Sequence, residues 1–254
     1  LVLGASSGFG AAVCRRLAAD GFDICGVHLD RRSTLPEAEQ VKDEVEAAGR
    51  RALFFNVNAA SDDKREMVLD ELAEAAGSGG VRLLFHSLAF GSMAPLVGEA
   101  KKESARRSQV EMTLDVMASS LVYWTQGLVW RGLIGEGGRV LAMSSAGSKR
   151  VTAGYGMVSA AKAALESYVR QLALELAPKR IAVNTIRAGV THTAAVEKIP
   201  GWEGLIARAR AINPGGRTTT VEDVANAVSL LVRPEAAWLT GNVLGVDGGE
   251  DIVG

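Results

Sequence analysis

The chain has 254 residues, a formal net charge of −1 and basic residues scattered along its length, which argues against a nucleic-acid groove or an anionic membrane as partner. No apolar run approaches the ~20 residues of a membrane span, and no basic-then-apolar leader opens the chain. Its two cysteines, Cys14 and Cys25, fall in a helical and a strand-like stretch. Buried free thiols are expected there, no Cys/His cluster predicts a metal, and a cytoplasmic, reducing setting fits. Leu1 already reads as strand, so the natural N-terminus is expected upstream and a removed targeting segment stays open.

Strand-like apolar runs cover residues 1–3, 23–29, 52–57, 83–86, 139–143, 182–186 and 243–246, and amphipathic stretches at 62–76, 112–133, 156–176 and 221–232 lie between them. This alternation predicts βαβ units. The expected fold is α/β, a Rossmann-like doubly wound parallel sheet of about seven strands with helices on both faces. No repeat, low-complexity tract or linker interrupts the pattern, so residues 1–254 read as one domain.

The first strand runs into Gly4-Ala-Ser6-Ser7-Gly8-Phe9-Gly10, which opens a helix. Glycines let the backbone approach a ligand, and a helix N-terminus offers free N–H groups and the positive dipole end to phosphate. The spacing is not the usual G-x-G-x-x-G, but its place after the first strand predicts dinucleotide binding. The second strand ends in Asp30-Arg31-Arg32. An acid there would hold the adenosine ribose hydroxyls of NADH, and an arginine would hold the 2′-phosphate of NADPH. Two adjacent guanidiniums favour NADPH, with NADH possible.

Further on, Ser144-Ser145 closes the fifth strand, and Tyr155 and Lys162 stand seven residues apart. On a helix that separation is about two turns, so both side chains emerge from one face. An ammonium beside a phenol favours the phenolate, which makes the pair a candidate proton donor.

These pieces, with Asn184-Thr-Ile-Arg-Ala-Gly189, Val221-Glu-Asp-Val-Ala, Leu239-Thr-Gly241 and Val246-Asp-Gly-Gly249, resemble the short-chain dehydrogenase/reductase family over nearly the whole chain. The resemblance implies hydride transfer from a nicotinamide and a catalytic tyrosine–lysine pair at the start of a long helix. It implies that Asn58 and Ala59 lie by the adenine, and that Ser87, Leu88 and Ala89 line the cofactor ribose. It also places Ala188, Gly189, Val190 and Thr193 at the nicotinamide end, and Lys162 on the nicotinamide ribose.

The chain departs from the common family pattern in three places. Val158 stands where the family tyrosine usually lies, four residues before the lysine; His86-Ser-Leu-Ala-Phe-Gly91 replaces Asn-Asn-Ala-Gly; and Met117 stands in place of the relay asparagine. The wider spacing and His-Ser-Leu-Ala-Phe resemble the enoyl-acyl-carrier-protein reductases of fatty-acid synthesis, and the short glycine loop resembles their NADPH-using class. Spacing and reaction are physically linked. Enoyl reduction places negative charge on a thioester oxygen several bonds from the hydride acceptor, and a shift of three helical residues moves the hydroxyl by about 4.5 Å. Tyr155 is therefore expected to stabilise the enolate. One position disagrees: Ser145 stands where these enzymes carry a second tyrosine and where ketone reductases place a hydroxyl donor. Ketone reduction by Ser145, Tyr155 and Lys162 stays open, as does a local capping role for Ser145. A non-catalytic dinucleotide-binding regulator is the remaining alternative.

His86 is expected to bond nearby backbone, and His192 is left between substrate contact and exposure. Tyr123, Trp124 and Trp130 are expected in core or oligomer contacts, the resemblance implying a homotetramer. Residues 193–212, with Trp202, Leu205 and Ile206, are expected to form a lid over an acyl chain.

Overall fold

The computed structural model describes residues 1–199 and 201–253. Seven strands form one parallel sheet: β1 (Val2–Leu3), β2 (Ile24–His28), β3 (Ala52–Asn56), β4 (Leu83–His86), β5 (Arg139–Ser145), β6 (Ala182–Ala188) and β7 (Val243–Val246), in the order β3-β2-β1-β4-β5-β6-β7. Every strand-like run in the sequence is a strand, and the doubly wound parallel sheet stands as expected. The central strands are apolar on both sides because helices cover both faces. Leu84 and Val140 pack toward one layer, and Phe85 and Leu141 toward the other.

One layer holds α3 (Asp62–Ala76), α4 (Arg107–Leu114), α5 (Ser120–Trp130) and α6 (Gly156–Leu176). Its core centres on Trp124, Leu121 and Leu165, all fully buried. The opposite layer holds α1 (Gly8–Ala19), α2 (Leu35–Ala47) and α8 (Val221–Leu231). The short side chains Gly10, Ala11 and Ala12 form the buried start of α1. A capping box between Thr220 and Asp223 starts α8. Two further helices, α7 (Trp202–Ile212) and the one-turn α9 (Glu250–Val253), lie toward the C-terminus. Cys14 and Cys25 are free and buried, and burial pushes their thiols up to about 12 and about 11. No described helix is long and apolar enough to cross a membrane.

The amphipathic stretch at 112–133 differs from its expected form. The helix begins earlier, at Arg107, is interrupted by a π turn over Asp115–Ser119, and ends at Trp130. Gly132, in the left-handed region at φ 65°, supplies the ending. Such π turns occur mostly as single-turn bulges inside α-helices.

Chain order reverses between β1 and β4, which are neighbours in the sheet. In a doubly wound sheet the crevice beyond the C-terminal strand ends at such a reversal is where ligands bind. The glycine loop after β1 and the His86–Gly91 segment after β4 both open there.

Candidate active site

The glycine loop is shaped by contacts that leave no room for side chains. A Cβ on Gly4, whose φ is +88°, would stand 2.7 Å from the Ser87 carbonyl oxygen, and one on Gly10 only 1.9 Å from the Gly4 carbonyl oxygen. The Gly4 and Ala5 N–H groups both donate to the Val27 carbonyl, at 2.8 and 3.1 Å. Ser7 is the extended N-cap of α1, and no described side chain caps the helix, so its first N–H groups are left without a partner among the described residues. The loop also meets the far side of the crevice: a Cβ on Gly8 would lie 3.8 Å from the Thr193 methyl. Ser6 and Phe9 are half-buried and Ser7 is exposed.

Residues further along the crevice divide by burial. Asn58 is exposed and its side-chain oxygen accepts from the Ala60 N–H at 3.0 Å. Ala59 is buried, and its carbonyl accepts from Trp124 Nε1–H at 2.8 Å. Ser87 and Leu88 are half-buried and Ala89 is exposed. Gly189 lies under a roof that a Cβ would strike, 2.4 Å from Thr219 Oγ1 and 2.9 Å from Glu250 Oε2. Glu250 also accepts from the Val190 N–H at 3.0 Å; burial pushes its carboxyl above the ordinary range. Sequence reasoning missed Glu250, although it directly follows the Asp247-Gly-Gly249 turn.

Tyr155, Lys162 and Ser145 come together at the C-terminal end of β5. Tyr155 is the N-cap of α6 and its carbonyl accepts from the Ser159 N–H at 2.8 Å. Its ring leans on Gly147, where a Cβ would stand 2.5 Å from Tyr155 Cε1 and 3.1 Å from Ser145 Oγ. Ser145 Oγ accepts from the Gly147 N–H at 3.0 Å. That is the capping role, and it uses a lone pair while leaving the hydroxyl proton free. Lys162 is 5% exposed and its ammonium donates to the Met143 carbonyl at 2.6 Å. Burial lowers its pKa to about 8, opposed by the Glu166 carboxylate one turn on. Glu166 in turn accepts from Ser144 Oγ at 2.5 Å.

The departures from the family pattern meet in space. A Cβ on Gly91 would stand 2.7 Å from Met117 Sδ, 2.9 Å from Thr113 Cγ2 and 3.1 Å from Val158 Cγ2. Val158 and Met117 are both buried. The position four residues before the lysine therefore serves an apolar cluster, and no hydroxyl is offered from it.

His86 bonds a side chain rather than backbone, which differs from expectation. Its Nε2 lies 2.8 Å from Ser120 Oγ, which itself donates to the Val116 carbonyl at 2.8 Å within the π turn. His86 is fully buried, and burial, with Lys162 adding to it, lowers its pKa to about 3. It is a neutral imidazole. His192 is exposed; it pairs with Glu197 at 2.8 Å and stacks on Trp202 with ring centroids 5.0 Å apart. Trp124 is core, whereas Tyr123 and Trp130 are exposed, Tyr123 carrying the Arg65 guanidinium 5.3 Å over its ring. The segment 193–212 contains Pro200, which lies outside the described residues; α7 forms its second half.

Sequence reasoning also missed an apolar rim beside Tyr155. Phe90, Leu96 and Val97 are exposed in the loop after β4, and Val151 in the loop after β5. Leu96 packs where a Gly156 Cβ would lie, and the Ala94 N–H donates to the Gly154 carbonyl at 3.1 Å. The signal was available as Met93-Ala-Pro-Leu-Val97, an apolar run inside a loop.

Residues 4–250 match the family model described as enoyl-(acyl carrier protein) reductase. The chain is 32% identical over 203 residues to an enoyl-[acyl-carrier-protein] reductase [NADH] of Nostoc sp., covering 80% of this chain and 76% of the relative. It is equally 32% identical to a 1-cyclohexenylcarbonyl-CoA reductase of Streptomyces collinus, covering 100% of this chain and 86% of the relative. Among solved structures, a Burkholderia cenocepacia short-chain dehydrogenase in complex with NADP superposes with a TM-score of 0.82 at 28% identity, over 99% of this chain and 96% of that one.

Proposed function

The chain belongs to the enoyl-(acyl carrier protein) reductase family of short-chain dehydrogenase/reductases, and from that premise we propose that it reduces the C=C bond of an enoyl thioester with a nicotinamide coenzyme. The observation that carries this reading is the placement of the Tyr155 phenol ahead of Lys162. Tyr155 stands at the very start of α6, while the usual tyrosine position, Val158, is turned into an apolar cluster. The hydroxyl is thereby offered toward a distant oxygen rather than beside the carbon that accepts hydride.

The crevice fits such a coenzyme. The side-chain-free approaches at Gly4 and Gly10 and the uncapped start of α1 suit a pyrophosphate. A bound reduced nicotinamide supplies the hydride. Gly4, Ser6, Ser7, Gly8, Phe9 and Gly10 hold the phosphates, Asn58 and Ala59 the adenine side, and Ser87, Leu88 and Ala89 the ribose. Gly189, Val190 and Thr193 hold the nicotinamide end. Asp30 and Arg31 are the candidate contacts at the adenosine ribose, Asp30 suited to NADH and Arg31 to NADPH.

In the reaction, Tyr155 donates a hydrogen bond to the thioester oxygen and strengthens it as enolate charge develops there. Lys162 binds the nicotinamide ribose and keeps positive charge near the phenol. Ser145, with its proton free, donates to the same substrate oxygen. The rim of Phe90, Leu96, Val97 and Val151 and the 193–212 lid enclose the acyl chain, on a carrier protein or coenzyme A. One domain spanning residues 1–254, a homotetramer, a cytoplasmic setting and a role in fatty-acid synthesis complete the proposal.

A second reading, ketone reduction, is favoured by the free Ser145 hydroxyl beside Tyr155. Oxidation of NADH and NADPH followed with crotonoyl-CoA and, in parallel, acetoacetyl-CoA separates the two. Turnover of crotonoyl-CoA is expected; turnover of the keto substrate alone would replace the enoyl reading by the second. Inactivity on both and on a broad carbonyl panel would favour a dinucleotide-binding regulator.

A further inference from the structure

The end of β2 carries an arrangement that reduction itself does not use. His28 is buried, and its Nδ1–H donates to Asp30 Oδ2 at 2.8 Å, with side-chain exposures of 4% and 10%. The Asp30 backbone is fixed as well. Its N–H donates to Asn56 Oδ1 at 2.9 Å, and its carbonyl accepts from Asn56 Nδ2 at 3.0 Å. The imidazole is lodged against Phe54, with ring centroids 6.1 Å apart at 51°. Burial pushes the Asp30 carboxyl up, but the Thr34 and Ser6 hydroxyls and the His28 imidazole outweigh it and hold its pKa below the ordinary value. Arg31 and Arg32 are exposed, and among the described residues their guanidiniums make no hydrogen bond or ion pair.

We propose that His28 is a specificity-determining residue, which braces the Asp30 carboxylate against the adenosine ribose and so selects NADH, with its free 2′-hydroxyl, over NADPH. The inference rests on the nicotinamide reading above and goes further by naming the residue that decides between the coenzymes. An ionised carboxylate accepts the protons of ribose hydroxyls. A 2′-phosphate has little proton to offer at neutral pH and adds up to about two negative charges beside the acid. An unbraced aspartate would rotate away toward water and let Arg31 take the phosphate. Asp30 is held by His28 at the end of β2 through its side chain and by Asn56 through its backbone. Arg31, on a solvated side chain, has to spend conformational freedom to compete.

The test is equilibrium binding of NADH and of NADPH, read by coenzyme fluorescence without acyl substrate. The unmodified chain is expected to bind NADH at least about tenfold more tightly, a specificity expressed as a ratio of affinities. His28→Leu should bring the two affinities to within about threefold of each other by releasing the carboxylate. His28→Asn places an amide N–H where Nδ1–H stood and should restore the preference. In an Asp30→Ala background, His28→Leu should change the ratio no further. Tighter binding of NADPH by the unmodified chain would overturn the proposal. So would a folded His28→Leu protein that weakens both coenzymes equally, which is what a merely structural role produces. Should His28→Leu fail to fold, Asp30→Ala and His28→Asn still decide: an unchanged ratio in the first or a lost preference in the second overturns it. Expected binding ratios without crotonoyl-CoA turnover would sink the enoyl reading and leave this one standing; no binding of either coenzyme would sink both.

Discussion

Lys162 divides its three N–H donors between the protein and the crevice. One is committed to the Met143 carbonyl at 2.6 Å, leaving two for the ribose contact and the charge that the proposed chemistry requires. Its lowered pKa of about 8 gives two opposite pH trends. Activity should fall as pH rises through about 8, because the ammonium is lost from the folded protein. Stability should move the other way. Between about 8 and the ordinary lysine value of 10.5, the unfolded chain keeps a proton that the folded chain has released, so stability from this group rises with pH. Rate profiles and Tm measured over pH 7–10.5 check both, and in Lys162→Met the rising contribution to Tm should vanish. For Tyr155→Phe, loss of a hydrogen bond that strengthens only in the transition state should lower kcat by about 100-fold or more. Coenzyme affinity should stay unchanged, and full kcat in that variant would remove the enolate role.

The helix α6 was readable to the residue, from Gly156 to Leu176, because its apolar face repeats with helical period over 21 residues. The loop that completes the site was less readable. Gly147 reads as an ordinary loop glycine, but it is the floor under the Tyr155 ring, with room for no side chain. Gly147→Ala should therefore displace the phenol and lower kcat/KM by about 100-fold through misplacement of about 1 Å. The change in Tm should be small, because the ring is only half-buried. Wild-type kinetics in Gly147→Ala would show that the ring position does not govern the reaction. The π turn at Asp115–Ser119 belongs to the same class. It turns the Val116 carbonyl to Ser120, and Ser120 fixes the neutral His86, a chain of contacts across 34 residues of sequence that local pattern cannot contain.

Over the whole molecule, the C-terminal segment ties together two loops that flank the candidate site. Asp251 pairs with Arg150, in the loop after β5, at 3.0 Å, and with Arg187, at the end of β6, at 2.7 Å. Glu250 holds the Val190 N–H beside them. The pairs are partly shielded, so Asp251→Ala should cost about 1–3 kcal/mol, the range for lost hydrogen bonds to charged groups. It should also raise KM for the acyl substrate more than it lowers kcat, because the loops that position the substrate loosen while Tyr155 and Lys162 remain in place. Denaturant unfolding and steady-state kinetics on the one variant check both effects. An unchanged KM would assign the segment to stability alone.

The seven strands, their parallel winding and the place of Tyr155 and Lys162 at the start of a long helix were legible without coordinates. Each rests on a local signal: apolar runs of strand length, glycines after the first strand, and a seven-residue helical spacing. The family likeness added the order of the parts. What only the tertiary structure decided are relations between segments distant in the chain. They include the apolar cluster of Gly91, Met117 and Val158, the roof of Glu250 over Gly189 and the hold of His28 and Asn56 on Asp30. The same holds for the surroundings of the candidate ribose contacts. Asp30, Arg31 and Arg32 are adjacent in sequence, where the two guanidiniums favour NADPH. In the folded chain the acid is half-buried and bonded to His28 while Arg31 and Arg32 are exposed, since burial and hydrogen bonding are properties of neighbours in space.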